Sequence, residues 1–238
     1  MKPRTEKIFQ AILKEYIKTA EPVGSKILCE RYNFSLSPAT IRNEMKRLEK
    51  EEFIFQPHTS AGRVPTDKGY RHYVDSLMRG RELSSIEQKK VQTEFLKLQA
   101  RYNRLSRTTS KLLSLLTQNM AISGSLDEKE VIGSGITQLL KQPEFAETSQ
   151  VYEIAEALDW LDENIEDVMT KGAGPIDVFI GDENPTKHLN GCSMVVSRYR
   201  LPSGTEGFMA VVGPKRMRYS HTIPLVEFLS NYLNEGDY

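Results

Sequence analysis

Residues 37–49, with the sequence SPATIRNEMKRLE, constrain the fold more than any other part of the chain. Ser37 is suited to cap a helix N-terminus, and the proline after it fits the first helical position. Ile41, Met45 and Leu48 follow at helical spacing, so they share one apolar face. The segment is therefore predicted to be a helix with one buried side and one cationic, amide-bearing side.

The exposed side of this predicted helix carries the residue types that read DNA. Asparagine can bind adenine through two hydrogen bonds, arginine can bind guanine in the same way, and lysine and arginine neutralise phosphate. A solvated helix face explains the same pattern, so the neighbouring segments must decide between the two readings. The residues of this helix predicted to contact DNA are Ser37, Thr40, Arg42, Asn43, Lys46 and Arg47.

The segments around this helix favour DNA binding. Apolar spacing predicts helices over residues 4–18 and 25–31, which together with the third helix form a helix-turn-helix arrangement. The aromatic run 53–57 and the pair 64–65 predict two strands joined by a polar tip, which is the wing of a winged helix. The tip residues predicted to contact DNA are His58, Thr59, Ser60 and Arg63, with Arg63 entering a minor groove or contacting phosphate.

The charge distribution agrees with a DNA-binding N-terminal region. The formal net charge is zero, but residues 1–80 contain 15 Lys and Arg against 10 Asp and Glu. The remaining residues contain 17 against 22. This asymmetry is expected if only the first part of the chain meets nucleic acid. We divide the chain into a winged-helix domain (1–80), a long linker and dimerisation helix (81–120) and a regulatory domain (121–238).

Residues 84–119 contain neither proline nor glycine and are predicted to form one long helix. Its apolar residues recur at alternating spacings of four and three, which is typical of a coiled-coil seam. Packing of the helix on its own domain is the alternative to an intermolecular coil. The residues predicted to mediate dimerisation are Val91, Phe95, Leu98, Tyr102, Leu105, Leu112 and Leu116.

The rest of the chain alternates helical and strand-like segments. The predicted fold class is therefore mainly α with a small β part, in which an α+β domain with a small antiparallel sheet follows the linking helix. Strands are predicted at residues 131–135, 177–180, 193–200 and 207–212, and helices at residues 136–140, 149–169 and 221–233.

The sequence carries no signature of catalysis. It has no Walker loop, no GxSxG and no HExxH, so an enzyme, a cofactor or a metal site is not expected. Cys29 and Cys192 have no metal-binding spacing and are predicted to be reduced. The basic segment 213–219 suits either an anion or a structural role beside the last helix. No run resembles a signal peptide or a membrane span, so a cytoplasmic protein is expected.

Several motifs resemble the family of the heat-inducible transcription repressor HrcA. The N-terminal ones are Tyr16 and Ile17, EPVGS at 21–25, SPATIRNEM at 37–45 and QPHTSAGRVPTDKGYR at 56–71. Those of the C-terminal part are LLKQPEF at 139–145, IGDEN at 180–184, GCS at 191–193 and GPKRMRY at 213–219, with Lys215 in place of the usual threonine.

This resemblance implies a winged-helix homodimer that represses heat-shock chaperone genes. The family's operator is an inverted repeat of double-stranded DNA called CIRCE, and the chaperonin GroEL keeps the repressor active. The family's middle domain is GAF-like and carries an inserted dimerisation domain. The resemblance covers residues 5–120 and 131–235, because only a short polar stretch stands where typical members carry most of the GAF-like sheet and the insertion. The regulatory domain is therefore predicted to be a truncated GAF-like domain.

The leading hypothesis is a sequence-specific DNA-binding repressor that acts as a homodimer on an inverted repeat in a stress response. The alternative is a winged-helix regulator that responds through its C-terminal domain to a small-molecule or protein effector rather than to heat. A third hypothesis is a protein-interaction module built on the winged helix, but the cationic helix face disfavours it.

Overall fold

The structure is a computed structural model that describes the chain except for residues 33, 35, 78–80, 103, 128–129, 147, 172–173 and 237–238. The chain divides into two compact units, Met1–Arg79 and Gly80–Tyr238. The described residues of the first unit form four helices and a two-stranded antiparallel hairpin. Its elements are α1 (Pro3–Thr19), α2 (Ser25–Arg31), α3 (Pro38–Lys50), β1 (Ile54–Phe55), β2 (Val64–Pro65) and α4 (Asp67–Leu77).

The core of the first unit forms where α1 contacts α3 and the hairpin. Ile8, Phe9 and Ile12 lie on one face of α1 and are fully buried. Ile41 and Leu48 of α3 are equally buried, as the apolar spacing predicted. The shared core fixes the orientation of α3 within the unit, so its opposite face is turned to solvent.

The second unit is built on a five-stranded antiparallel sheet with the order β4-β3-β7-β6-β5. Short 3-10 helices lie at Pro143–Phe145, Gly181–Glu183 and Lys187–Leu189. The other elements are α5 (Ser85–Tyr102), α6 (Leu105–Thr117), β3 (Met120–Ser125), β4 (Glu130–Ser134), α7 (Ile136–Leu139), α8 (Thr148–Lys171), β5 (Ile176–Ile180), β6 (Cys192–Arg200), β7 (Glu206–Pro214) and α9 (Tyr219–Glu235).

Both faces of this sheet are covered. Alternate residues of the central strands, such as Met194 and Phe208, form one core with the apolar face of α8. The residues between them, such as Val195 and Val211, are also fully buried and face the side on which α6 and α9 contact the sheet. The unit therefore has three layers, with helices on each side of the sheet.

The sheet is larger than the truncated one that the sequence predicts. The additional strand is β3, which pairs with both β4 and β7. Residues 120–125, with the sequence MAISGS, contain small and polar side chains rather than a run of β-branched residues. Strand propensity is weak in such a segment, and pairing on both edges determines its conformation.

The prediction of one continuous helix over residues 84–119 is wrong. Helix α5 ends at Tyr102 and α6 begins at Leu105, and Arg104 between them has extended dihedral angles, φ −140° and ψ 119°. Both helices belong to the second unit, where α6 contacts the sheet and α5 packs on α6. The region 81–120 is therefore part of that unit and not a separate linking domain. None of the described helices has the length and apolar character needed to cross a membrane.

Candidate nucleic-acid interface

Helix α3 is held in place by its buried face and by the residue that caps its N-terminus. Ser37 has extended dihedral angles, and its hydroxyl accepts a hydrogen bond from the backbone N–H of Thr40 at 3.1 Å. The two hydroxyl groups also lie 3.0 Å apart. Ser37 is thus the N-cap of α3, which satisfies one of the free donors of the first turn.

Three of the predicted DNA-contacting residues project freely from α3. Arg42, Asn43 and Lys46 are exposed, and no hydrogen bond or ion pair joins their side chains to any residue that the structure describes. Arg47 is different, because its Nε donates to Oε1 of Glu51 at 2.9 Å on the helix surface. The free set presents an amide and two cations from one face of a fixed helix.

A buried carboxylate on α3 was missed by the sequence reasoning. Glu44 lies among the apolar positions, accepts a hydrogen bond from the hydroxyl of Thr5 at 2.7 Å, and is paired with Arg4 through Nε at 2.9 Å and through Nη2. The Thr5 hydrogen bond lowers the pKa of Glu44, and Arg4 adds to this against the effect of burial. The sequence already places this glutamate on the apolar face of α3. A buried carboxylate requires hydrogen-bonding or charged partners, so the position of Glu44 was the signal that could have revealed this contact.

The tip of the hairpin is exposed and locally ordered. His58, Thr59 and Ser60 are all exposed, as a contact surface requires. The side-chain amide of Gln56 donates to the carbonyl oxygens of Thr59 at 2.8 Å and Ala61 at 2.9 Å. The exposure of His58, Thr59 and Ser60 agrees with their predicted position at the tip of the hairpin.

Arg63 does not lie at the tip, which corrects the sequence prediction. Its backbone N–H and C=O each form a 2.9 Å hydrogen bond with Val23, in the turn between α1 and α2. Its side chain is only 13% exposed, and its Nη2 lies 3.0 Å from Oε2 of Glu49 on α3. In this position the guanidinium joins the base of the hairpin to α3 and does not project from the tip.

The seam predicted for dimerisation is not continuous. Val91, Phe95 and Leu112 are buried within their own unit, and the Phe95 ring packs edge-on against Tyr232 of α9 at 5.6 Å. Leu98, Leu105 and Leu116 are half-buried, and the side chain of Tyr102 lies outside the described part of the chain. The four-and-three spacing therefore reflects packing inside the unit at these buried positions, which was the alternative reading.

The C-terminal motifs have structural roles. The Asn184 side-chain amide donates to the carbonyl oxygens of Gly181, Leu189 and Cys192 at 2.8–3.0 Å, which fixes the chain after β5. Arg216 in the basic segment 213–219 is paired with Glu144 through Nε at 2.5 Å, so its charge is neutralised within the unit. No group of three His, Cys, Asp or Glu residues with metal-binding geometry occurs among the residues described.

Comparison with known proteins identifies the family. The family described as HrcA protein C terminal domain matches residues 66–223. The heat-inducible transcription repressor HrcA of Carboxydothermus hydrogenoformans is 28% identical over 331 residues, covering 98% of this chain and 97% of the relative. The protein of the same name from Geobacter sulfurreducens is 26% identical over 337 residues, covering 98% of each.

A solved structure described as a hypothetical protein has the same fold as this chain. It superposes with a TM-score of 0.78 at 20% identity, over 99% of this chain and 98% of that one. The aligned lengths of the relatives exceed the 238 residues of this chain, so the relatives contain segments that have no counterpart here. Because the family match extends over more than half of its residues, the chain belongs to the HrcA family.

Proposed function

We propose that the chain is a sequence-specific DNA-binding transcriptional repressor whose first unit is a winged helix. The observation that carries this proposal is the free exposed set Arg42, Asn43 and Lys46 on α3, opposite a buried apolar face. Helix α3 is the recognition helix, and the hairpin β1–β2 is the wing. The relatives' name, heat-inducible transcription repressor, supports the same function.

Each exposed residue has a role that its chemistry supports. Asn43 reads adenine through its amide, and Arg42 reads guanine or contacts phosphate. Lys46 neutralises phosphate, and Arg47 does so after exchanging its surface ion pair with Glu51. Thr40 and the tip residues His58, Thr59 and Ser60 contact the backbone beside the major groove.

Selection of bound duplexes from random-sequence DNA tests the proposal directly. Recovery of an inverted repeat is the expected result, and failure to enrich any sequence contradicts the proposal. The Asn43→Ala variant is expected to lose about 1–3 kcal/mol of discrimination at one base pair, measured at fixed salt. Asn231→Ala, the same change at an exposed position of α9, is the matched control.

The proposed repressor acts as a homodimer, because an inverted repeat presents two half-sites related by a two-fold axis. Leu96 on α5 and Leu115 on α6 are large apolar side chains left exposed in the second unit, and they support an interface there. The double variant Leu96→Glu, Leu115→Glu is expected to be monomeric by sedimentation. A dimer that survives both changes contradicts this interface.

We extend the proposal to a stress response, which the relatives' name, heat-inducible transcription repressor, supports. We also extend it to a CIRCE-like operator of chaperone genes, which the family resemblance implies. Purified chaperonin GroEL is then expected to increase the fraction of protein that binds the selected DNA. Heating is expected to reduce this fraction unless GroEL is in excess. An operator affinity that GroEL leaves unchanged at both temperatures contradicts the chaperonin part of the proposal.

Regulation by a small effector is the second candidate. A cleft of about 370 Å³ in the second unit is lined by polar groups that include Arg104, Ser125, Glu130 and Tyr199. This volume is within the range of ligand sites. A thermal-shift screen with metabolites, with and without operator DNA, is the test. A compound that raises the unfolding temperature and changes the operator affinity favours this candidate.

A further inference from the structure

A cationic cleft opens in the first unit beside the N-terminus of α1. It has a volume of about 640 Å³ and is lined by Arg4 and Lys7 of α1 and by Arg31 at the end of α2. Tyr32 and Phe34 complete one wall, with their rings nearly parallel at 14° and their centroids 5.8 Å apart. Three cations around a partly aromatic cleft indicate a site for an anion with an apolar part.

The two arginines of this cleft are each oriented by a buried carboxylate. Arg4 is paired with Glu44, and Arg31 is paired with Glu15, which also accepts a hydrogen bond from the hydroxyl of Tyr32 at 3.1 Å. The arginine side chains nevertheless stay 60% and 52% exposed. Because a guanidinium has five N–H donors, each arginine keeps donors free to bind a ligand after pairing with its glutamate.

The remaining cation is not neutralised within the unit. Lys7 is exposed, and no ion pair joins it to any residue in the described part of the chain. The three cations and the two carboxylates leave one positive charge, which matches the single negative charge of a phosphodiester. Guanidinium groups already held in position lose little side-chain entropy when they bind phosphate.

The cleft is linked to the recognition helix through Glu44. This residue lies on α3, one position after Asn43, and it holds the guanidinium of Arg4. The Arg4–Glu44 pair therefore connects the cleft to the helix that carries the free residues Arg42, Asn43 and Lys46. The apolar wall formed by Tyr32 and Phe34 suits contact with the deoxyribose between successive phosphates. A free inorganic anion has no apolar group that could pack against this wall.

We propose that this cleft binds a phosphodiester of the operator backbone, outside the base pairs that α3 reads. The inference rests on the proposed function and extends its DNA contact to α1 and to the end of α2. Phosphate contacts position a protein on the duplex without reading sequence. Loss of the cleft is therefore expected to weaken binding equally for preferred and altered operators.

The test compares Lys7→Gln with Lys18→Gln in the full-length protein. Lys18 is an exposed lysine of the same helix, 11 residues further along, or about 16 Å by the helical rise. Affinity for the selected operator is measured by fluorescence anisotropy over a series of salt concentrations. Lys7→Gln is expected to reduce the slope of log K against log salt by about 0.9, whereas Lys18→Gln leaves it unchanged.

A second arm uses a duplex trimmed to the base pairs read by α3. The difference between wild type and Lys7→Gln is expected to disappear on this duplex, because the flanking phosphate is absent. Equal slopes for wild type and both variants on the long duplex overturn the cleft assignment while leaving the proposed function intact. Absence of sequence-preferring binding by the wild type overturns the proposed function itself. Thermal unfolding of each variant confirms that the comparison is between folded proteins.

Discussion

The guanidinium of Arg63 lies 3.0 Å from the carboxylate of Glu49 and joins the hairpin to α3. The backbone of Arg63 also pairs with Val23, so one residue connects the hairpin to the α1–α2 turn and to α3. The orientation of the hairpin relative to α3 depends on this connection. Under the proposed function, Arg63 therefore affects DNA binding through the position of the hairpin.

Replacement of Arg63 is expected to destabilise the first unit. Arg63→Gln removes a charged hydrogen-bonding partner from a largely buried position, and the expected loss is about 1–2 kcal/mol in the free energy of unfolding. Arg47→Gln breaks an exposed ion pair and is the control, with an expected change of at most about 0.5 kcal/mol. Urea unfolding measures both. Wild-type stability of Arg63→Gln combined with weaker DNA binding would instead support a direct DNA contact.

Gly62 is required by the close approach of the α1–α2 turn. A Cβ at this position would lie 2.4 Å from the backbone carbon of Val23 and 2.6 Å from that of Pro22. We expect Gly62→Ala to destabilise the first unit by about 2 kcal/mol or more, because backbone atoms must move. At Gly24 an added Cβ meets no atom of the described residues within 4 Å, so Gly24→Ala is expected to change stability by about 1 kcal/mol at most. Equal unfolding midpoints for the two variants would refute this packing.

The contacts of Arg63 and Gly62 show which features of the first unit could not be predicted from local sequence patterns. Local spacing predicts α2 at its observed bounds and the buried face of α3, because both depend on neighbouring residues. The pairing of Arg63 with Val23 joins residues forty positions apart, and no local pattern encodes it. The sequence therefore located the hairpin but assigned Arg63 to the wrong part of it.

The long helix was mispredicted for a related reason. Helical propensity and the absence of proline and glycine favour continuation through Arg104, which is extended in the structure. Packing of α5 on α6 and of Phe95 on Tyr232 turns the chain back within the unit. Tertiary contacts thus overrode a local preference worth only tenths of a kcal/mol per residue.

Phe95 and Leu96 are expected to differ in how much the same substitution destabilises the monomeric second unit. Phe95 is fully buried against Tyr232, and Phe95→Ala is expected to lower the free energy of unfolding of the second unit by about 3–5 kcal/mol. The neighbouring Leu96 is 49% exposed, and Leu96→Ala is expected to change it by less than about 1 kcal/mol. Denaturant unfolding at a protein concentration at which sedimentation shows a monomer measures both, so the proposed interface at Leu96 does not contribute. Similar losses for the two variants in the monomer would contradict the burial of Phe95 and the exposure of Leu96 within the unit.

The two cysteines are expected to differ in reactivity. Burial raises the pKa of the Cys192 thiol to about 12, and the reactive species is the thiolate. Cys29 is only half-buried in the first unit. At pH 8 a thiol reagent is therefore expected to modify Cys29 in the native protein and Cys192 only after unfolding. In the Cys29→Ser variant, Cys192 carries the remaining thiol, and its modification in the native protein is expected to be slow. Rapid modification of that variant would contradict the burial of Cys192.

His221 is expected to make the second unit sensitive to mild acid. Burial lowers the pKa of its imidazole, Arg218 lowers it further and Glu87 opposes them. Its Nδ1 is buried without a hydrogen-bond partner among the residues that the structure describes. The unfolded chain, with an ordinary histidine pKa of about 6.5, binds the proton first, so stability falls as the pH drops below about 6.5 towards the folded-state pKa.

Replacing His221 with glutamine removes this titration. Unfolding free energies of wild type and His221→Gln are compared by urea denaturation between pH 7.5 and pH 5.5. The wild type is expected to lose more stability than the variant over this interval, because only its imidazole gains a proton on unfolding. Parallel pH profiles for the two proteins would show that His221 titrates equally in the folded and unfolded states, and that its environment is more hydrated than its burial indicates.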